Sequence, residues 1–513
     1  MTFLDFQELT SSNTFKTPAE SESIEYKEAS WKLPKSFWET VSSFANTAGG
    51  LIVLGIAEDK KAHEYSIIGV DNPEDIETQI FNDNNNPSCL SKPIIQNQDV
   101  TVTNFKDKKL IQVIIHAEQY NARPITAFGK AYIRTGDGDR VATAEQLKYF
   151  TVESQNEIDT HLLPASYTID DLDPKSIKEY RDELNQKGII TVSENTNNQE
   201  FLYSIGVFRK DRISNSNTYH LTDGGLLFFG KYISITDRFP RFQLDYQKYN
   251  SDNSTNWVDR VSAGDMNFPS LNIFSFYNIV SEKLENSVPD PFIQDEKLSR
   301  TSYHGDLVSA AKEALVNCLM HSYYDGLVGV KIVDRPSYFE FTNPGTMRVS
   351  IESFLRGQYS SIRNTEIASL FRRIGISETA ASGGPRIFNA AIKNKLNDPE
   401  ISVDYSMNTT RIRIWKSFAT NNDTELEKLS DLEKFIISTI KNKTSATANE
   451  IVNDPNNTFG KQTVIRHTLN SLVNQNFLVK QRRGRSFVYS LNPQNDYLNQ
   501  VKHLKHLEDN ILK

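Results

Sequence analysis

Acidic residues and a lysine near the N-terminus have the types and spacing to act on a phosphodiester. Glu25 and Lys27 lie two apart in the strand-like stretch SIEYK, so they share a face, and Glu20 lies just upstream. Glu58 and Asp59 follow the apolar stretch LIVLGI. If the two strands are neighbours, the carboxylates converge, and Mg²⁺ or Mn²⁺ would relieve their repulsion. Such a set suits metal-assisted hydrolysis, although surface acids beside a salt-bridging lysine would give the same spacing.

A second set of polar residues lies on one predicted helix. Glu313, Asn317 and His321 are spaced i, i+4, i+8 in KEALVNCLMHSYY, which puts them on one helical face. A glutamate there can polarise a water, and an asparagine oxygen can bind Mg²⁺ that bridges phosphates. Polar residues on a core helix are costly without a ligand, but a hydrogen-bonded contact between helices would also satisfy them.

Basic residues are concentrated near the C-terminus. Lys480, Arg482, Arg483 and Arg485 place four positive charges within six residues, and Arg466 lies on the outer face of the preceding helix. Three predicted helices followed by a basic hairpin are typical of a winged helix. The basic wing suits phosphate contacts to DNA, and a winged helix that binds protein is the alternative.

The elements that position these residues follow from local patterns. The stretch LPKSFWETVSSFAN predicts a helix with Ser36 and Glu39 spaced as a capping box, and Gly49 and Gly50 end it. LIVLGI predicts a short buried strand. The double glycine lacks the lysine and hydroxyl residue of a phosphate-binding loop, so it is predicted to be a turn that starts the strand.

Length and composition limit what the whole chain can be. The 513 residues predict about three or four domains. With 38% hydrophobic and 24% charged residues, the chain has no run near the roughly 18 apolar residues of a membrane span. The N-terminus lacks signal-peptide features, and Cys89 and Cys318 form neither a metal spacing nor a disulfide framework, so a cytoplasmic location is expected. Because the net charge is −8, nucleic acid must be bound by local patches.

The N-terminal motifs resemble those of a known domain. ESESIEYK, FANTAGGLIVLGIAED, RPITAFGKAYIRTGD and ATAEQL are similar to the Schlafen AlbA_2 domain over about residues 18–150. In Schlafen nucleases that cut tRNA or rRNA, two glutamates five apart and a later aspartate form an acidic triad. The resemblance implies Glu20 and Glu25 as the pair, with Lys27 beside them. It implies Asp59, or else Glu58, as the third acid. The triad belongs to the general pattern of the domain, and many relatives are described as transcription regulators.

The central motifs resemble an ATPase. EALVNCLMHSYYDG, FEFTNPGTM, SIRNTEIASLFRRIGISE and SGGPRI are similar to the HATPase_c_4 form of the GHKL fold, and LTDGGLLFFGK to the segment that precedes it. The resemblance implies Glu313 as the base that activates water and Asn317 as the Mg²⁺ ligand. It implies that Asn343, in place of an aspartate, accepts a hydrogen bond from adenine. The other implied nucleotide-binding residues are His321, Gly345, Gly383, Gly384 and Arg386. HSYY replaces the usual HRDY, and ETAASGGPRI departs from the family's glycine pattern, so ATP binding with weak hydrolysis is expected.

Together these features predict a multidomain α+β protein with an AlbA_2 domain, a GHKL-type α/β sandwich ATPase and a C-terminal winged helix. The predicted segments are a flexible N-terminus (1–18), AlbA_2 (19–150), a linker or central segment (151–300), the ATP-binding domain (301–418), the winged helix (428–495) and an amphipathic helix (496–513).

The leading hypothesis is an ATP-gated, metal-dependent Schlafen-type nuclease that cuts RNA, such as tRNA, or single-stranded DNA. The winged helix would hold DNA, and a role in phage defence would suit this assembly. The main alternative is an ATP-responsive transcription regulator with a structural triad, and a weaker one is an ATP-switched interaction scaffold. The tail helix at 496–513 either packs on its own domain or forms a homo-oligomer.

Overall fold

A computed structural model describes residues 23–59, 64–136, 138–154, 158–188, 197–212, 218–288, 303–376, 382–394, 396–416, 430–443, 445–452, 454, 457, 462–474, 478–483 and 486–491. Glu20, Arg485 and the predicted tail helix lie outside these residues. None of the helices in the described ranges is both long and apolar enough to cross a bilayer.

The N-terminal unit is a small α/β domain. Its elements are β1 Ile24–Lys27, α1 Ser36–Asn46, β2 Gly50–Leu54, β3 Ile56–Asp59, β4 Glu64–Ile67, α2 Pro73–Asn84, β5 Val100–Phe105, β6 Lys108–Ile115, β7 Thr126–Ala127, β8 Lys130–Thr135, β9 Gly138–Val141 and α3 Ala144–Glu153. The main sheet has the order β1-β2-β6-β5, with β1 parallel to β2. The condition set for the convergence of the carboxylates, that these two strands are neighbours, is therefore met, and Glu25 lies opposite Ile52.

Helix α1 covers one face of this sheet because its aromatic residues recur at helical spacing. Phe37, Val41 and Phe44 are fully buried. The helix ends at Asn46, three residues before the double glycine predicted to end it. Gly49, with a φ of +80°, leads into β2, and Gly50 is the first residue of that strand, where a Cβ would lie 2.2 Å from the Phe44 ring. The predicted capping box is wrong, since the Ser36 side chain caps no backbone amide at the start of α1.

The middle unit is larger than the N-terminal unit and extends from α4 to β17. Its elements are α4 Pro174–Gln186, α5 Asn198–Ile205, β10 Phe208–Lys210, β11 Tyr219–Leu221, α6 Asp223–Phe229, α7 Tyr232–Arg238, β12 Leu244–Lys248, β13 Asp259–Ser262, α8 Ile273–Ser287, α9 Tyr303–Met320, β14 Val330–Asp334, β15 Tyr338–Pro344, α10 Ile351–Arg356, α11 Thr365–Arg373, α12 Gly383–Lys393, β16 Glu400–Asp404 and β17 Thr409–Trp415.

One sheet and one core span most of the middle unit. The sheet order is β13-β12-β14-β15-β17-β16, and a single hydrophobic cluster runs from Leu163 to Ile414. Tyr180 on α4 packs edge-on against Phe229 and Phe274, and its hydroxyl donates to the Leu370 carbonyl at 2.8 Å. Segment 151–300, predicted to be a linker or central segment, thus supplies two strands of this sheet and several helices of the same core as the ATPase motifs.

The C-terminal unit has winged-helix topology. Its elements are α13 Asp431–Lys443, β18 Ser445–Thr447, α14 Ala448–Val452, α15 Gln462–Asn474, β19 Leu478–Arg483 and β20 Ser486–Leu491. The strands form a sheet in the order β18-β20-β19, in which β19 and β20 are the antiparallel wing. Ile436, Ile440, Ile465 and Leu469 are fully buried in a separate core.

Candidate functional sites

The Glu25 carboxylate lies between two cations in the N-terminal unit. Lys27 Nζ donates to Glu25 Oε1 at 2.5 Å, and Arg134 Nη2 donates to Glu25 Oε2 at 2.7 Å. Glu25 and Lys27 therefore share a face, as their spacing predicts. Arg134 Nη1 also donates to Asp139 Oδ1 at 3.0 Å. Burial lowers the pKa of Arg134, but the two carboxylates outweigh this and the net shift is upward.

The described residues do not by themselves form the predicted metal site. No three His, Cys, Asp or Glu side chains within the described ranges are placed to hold an ion. Glu58 is half-buried on β3, whereas Glu20 and the side chain of Asp59 lie outside the described part. Both oxygens of Glu25 already accept from cations, so the Glu25 carboxylate alone does not fit Mg²⁺ or Mn²⁺. The triad stays a prediction.

Arg134 and Asp139 are the residues of this site that sequence reasoning missed. Arg134 lies on β8, its side chain is only 2% exposed, and its guanidinium stacks on the Phe44 ring at 5.1 Å. The available signal was an arginine in a strand-like stretch, AYIRT, since a buried arginine needs an acidic partner.

Arg134 also lines a cleft between the N-terminal unit and the outer face of the middle sheet. The cleft holds about 1210 Å³ of empty space, part of it open to solvent. Thr47 and Thr135 line one wall, and Thr342, Ser402 and Arg411 line the other. The Glu25 site therefore adjoins a polar groove.

The second predicted site is a deep pocket between α9, β15 and α12. Glu313, Asn317 and His321 all line it, so their helical spacing does bring them to one surface. The pocket holds about 1030 Å³ of empty space, part of it open to solvent, and its lining is mostly apolar. Such a concave site with a few converging polar groups suits a small-molecule ligand.

The polar end of this pocket is built from Glu313, Asn317 and the start of α12. Asn317 Nδ2 donates to Glu313 Oε1 at 3.3 Å, and Arg386 Nη1 donates to Glu313 Oε2 at 2.7 Å. A Cβ at Gly383 would lie 2.7 Å from both Asn317 Nδ2 and Glu313 Oε1. Glycine lets the helix start approach these side chains, and its amides suit an anion. With Nδ2 engaged, Asn317 keeps its Oδ1 for a cation, so the residues fit Mg²⁺-bound nucleotide.

Asn343 and His321 also line the pocket. Asn343 Nδ2 donates to the Pro344 carbonyl at 3.0 Å and to the His321 carbonyl at 3.4 Å. This amide orientation makes Oδ1 the acceptor, as adenine recognition requires. Gly345 has a φ of +102° and packs against the Arg363 guanidinium. Burial, and then the charges of Arg363 and Arg348, lower the pKa of His321 to about 3, so its imidazole is neutral.

The basic residues of the winged helix are partly described. Arg466 is exposed on α15. Lys480 lies on β19, where its Nζ donates to Asn470 Oδ1 at 3.0 Å and lies 4.2 Å from the Phe487 ring centre. The backbones of Arg482 and Arg483 lie on β19, and their side chains lie outside the described part.

Family models match four consecutive parts of the chain. Residues 20–143 match "Schlafen, AlbA_2", and residues 148–245 match a domain of unknown function, DUF8451. Residues 332–412 match HATPase_c_4, "Putative ATP-dependent DNA helicase recG C-terminal", and residues 429–511 match "Penicillinase repressor". The chain thus carries a Schlafen AlbA_2 domain, an ATPase-like domain and a winged helix in that order, which confirms the predicted fold class.

The ATPase match begins after α9. It includes Asn343, Gly383 and Arg386. Glu313 and Asn317 lie outside the match; they line the same pocket as Asn343 and Gly383, and Glu313 accepts from Arg386. A search of curated proteins gave no match. Among solved structures, the chain is similar to the crystal structure of the DIP2311 protein from Corynebacterium diphtheriae, with 15% identity over 92% of each chain and a TM-score of 0.39. The domain types indicate a nucleic-acid-related ATPase or regulator.

Proposed function

We propose that the chain is an ATP-binding protein that acts on nucleic acid. The observation that carries this proposal is the pocket that Glu313, Asn317, Asn343 and the glycine start of α12 all line. Asn317 would hold Mg²⁺ through Oδ1, and the bound nucleotide would supply a phosphoanhydride to hydrolyse. Arg386 would turn from Glu313 to the phosphates, which frees the Glu313 carboxylate to take a proton from water.

Calorimetric titration with ATP and Mg²⁺ tests the nucleotide site. Asn317→Ala should abolish binding because it removes the metal ligand. Asn394→Ala is the matched control, since Asn394 lies at the far end of α12 and does not line the pocket. Retained affinity in Asn317→Ala would refute this placement of ATP.

The more specific proposal is that the Glu25 site cleaves RNA or single-stranded DNA, with ATP as the gate. Lys27 and Arg134 provide two cations beside Glu25, and the adjoining polar cleft has room for a strand. Labelled tRNA, rRNA and single- and double-stranded DNA would be incubated with Mn²⁺ or Mg²⁺, and separately with chelator. Glu25→Gln should abolish cleavage, while Glu28→Gln, an exposed neighbour, should leave it unchanged. An inactive wild type on every substrate would exclude the nuclease.

A transcription regulator is the second candidate, and one observation favours it. Both oxygens of Glu25 are held in ion pairs within the unit, as expected of a structural residue. In that case Glu25→Gln lowers the stability of the N-terminal unit, and the wild type shows no cleavage. DNA affinity, measured by gel shift with and without ATP, would then change with nucleotide.

A further inference from the structure

Helix α3 of the N-terminal unit reaches the wall of the nucleotide pocket. The Tyr149 hydroxyl accepts from the Thr346 amide at 2.8 Å and lies 3.0 Å from Thr346 Oγ1. Its ring packs edge-on against Tyr323 at 5.3 Å. Because Thr346 lines the pocket, a residue outside the ATPase-like domain fixes part of the nucleotide site.

Glu153, at the end of α3, binds two buried arginines of the middle unit. Arg363 Nε donates to Glu153 Oε1 at 2.6 Å, and Arg348 Nε donates to Glu153 Oε2 at 3.0 Å. All three side chains are at most 3% exposed. Two cations around one carboxylate, all shielded from water, form a strong and geometrically specific contact.

Arg363 connects Glu153 to the pocket because its guanidinium also donates to two backbone carbonyls of pocket residues. Its Nη2 donates to the Thr346 carbonyl at 2.7 Å, and its Nη1 donates to the His321 carbonyl. Both Thr346 and His321 line the nucleotide pocket. The position of Glu153 therefore bears on two pocket residues as well as on Arg348.

Arg348 itself lines the pocket and retains a donor. Its Nε is held by Glu153, its Nη1 donates to the Ile362 carbonyl at 3.1 Å, and its guanidinium stacks on the Tyr120 ring at 4.5 Å. The Arg348 residue is buried, and its Nη2 has no hydrogen-bond partner among the residues that the structure describes. A buried cationic donor without an acceptor is costly. Arg348 is one of the residues that line the pocket, so a ligand there that reaches Nη2 would supply the missing acceptor.

We propose that Arg348 contacts the bound nucleotide through Nη2, and that Glu153 is the positioning residue that holds Arg348 for this contact. Helix α3 then completes the nucleotide site, and the isolated ATPase-like domain lacks an essential part of it. This inference rests on the proposed ATP site.

The test compares nucleotide affinities of full-length variants by calorimetry. Arg348→Met keeps the length of the stem and removes the donors, so the Kd for ATP should rise about tenfold or more, the effect of losing a charge-assisted hydrogen bond. Glu153→Gln should also weaken binding. Its effect should be smaller in a protein that already carries Arg348→Met, because Glu153 acts through Arg348. Glu145→Gln is the matched control, since Glu145 lies on the same helix and pairs with Arg241 away from the pocket.

A purely structural role is separated from a contact in two ways. Each Kd is corrected for the folded fraction measured by thermal unfolding, and an affinity loss that vanishes on correction overturns the inference. Adenosine is titrated beside ATP: equal losses place the contact on the nucleoside, a loss with ATP alone places it on the phosphates, and both support a contact. An Arg348→Met Kd within twofold of wild type for both ligands overturns it.

The same titrations distinguish this inference from the proposed function. If wild type binds neither ATP nor adenosine, the ATP site itself is wrong. If Asn317→Ala loses ATP while Arg348→Met keeps it, the ATP site stands and only the role of Arg348 and α3 fails.

Discussion

Substitution by alanine at two adjacent glycines at the start of α12 should have different effects: at Gly384 it should lower stability, and at Gly383 it should lower ATP affinity. A Cβ at Gly384 would lie 2.0 Å from the Phe354 carbonyl oxygen, which is backbone and cannot rotate away. Helices α10 and α12 must separate to admit it, so Gly384→Ala should destabilise the middle unit by about 1–3 kcal/mol.

Gly383→Ala meets softer neighbours. Its Cβ would lie 2.7 Å from Asn317 Nδ2 and from Glu313 Oε1, the ends of two side chains that can turn aside. Alanine also favours a helix over glycine by about 1 kcal/mol, so stability should change by less than about 1 kcal/mol. The displaced Asn317 and Glu313 are the groups assigned to the metal and the water, so ATP affinity should fall about tenfold, or about 1.4 kcal/mol.

Urea unfolding of the middle unit and calorimetric ATP titration would be measured on both variants. The expected pattern is a stable Gly383→Ala that binds ATP poorly and a destabilised Gly384→Ala. A Gly383→Ala protein with wild-type ATP affinity would contradict the assignment of Asn317 and Glu313 to the nucleotide. A Gly384→Ala protein of wild-type stability would contradict the close packing of α10 on α12.

Two further predictions concern pH and salt. Burial, opposed by the ion pair with Arg209, raises the pKa of Glu366 to about 7, with the nearby Asp159 carboxylate adding to the rise. A raised carboxyl pKa stabilises the fold at acid pH and loses that contribution between about pH 4.5 and pH 7. Glu366→Gln should therefore flatten the fall in stability across this range by roughly 3 kcal/mol, measured by urea unfolding at pH 5 and pH 8; parallel curves would contradict it. In the winged helix, Arg466→Gln and Lys480→Gln should each lower the slope of log DNA affinity against log salt by about 1, and an unchanged slope would favour protein contact.

The sequence predicts best what local spacing determines. Glu313 and Asn317 reach one pocket because helical periodicity puts them on one face of α9, and His321 follows because the residue after α9 still donates its amide to the Asn317 carbonyl. Glu25 and Lys27 meet for the same kind of reason on a strand. These relations involve neighbours in the chain, so they hold whatever the rest of the fold does.

Contacts between residues far apart in the chain could not be predicted from the sequence. Arg134 lies 109 residues from Glu25, and Arg363 lies 210 residues from Glu153, and no local pattern pairs them. The capping box failed for a related reason. The first amides of α1 are satisfied by turn carbonyls, including that of Pro34, and the Glu39 carboxylate accepts from the Tyr132 hydroxyl at 3.2 Å instead. The tertiary contact of Glu39 with Tyr132 thus replaced the local contact that the spacing of Ser36 and Glu39 predicted.

The two candidate sites share one short segment, residues 130–153. At its start, Arg134 holds Glu25, and at its end, Glu153 holds Arg348 and Arg363. Gating by ATP would need α3 to occupy two positions. Partial separation of Glu153 from its arginines would leave a buried charge unpaired at a cost of about 3–5 kcal/mol, so intermediate positions are disfavoured and the switch would be discrete. A nucleotide that contacts Arg348 would then bias α3 between those positions. If ATP changes the affinity for nucleic acid at Glu25 by some factor, linkage requires that bound nucleic acid change the affinity for ATP by the same factor.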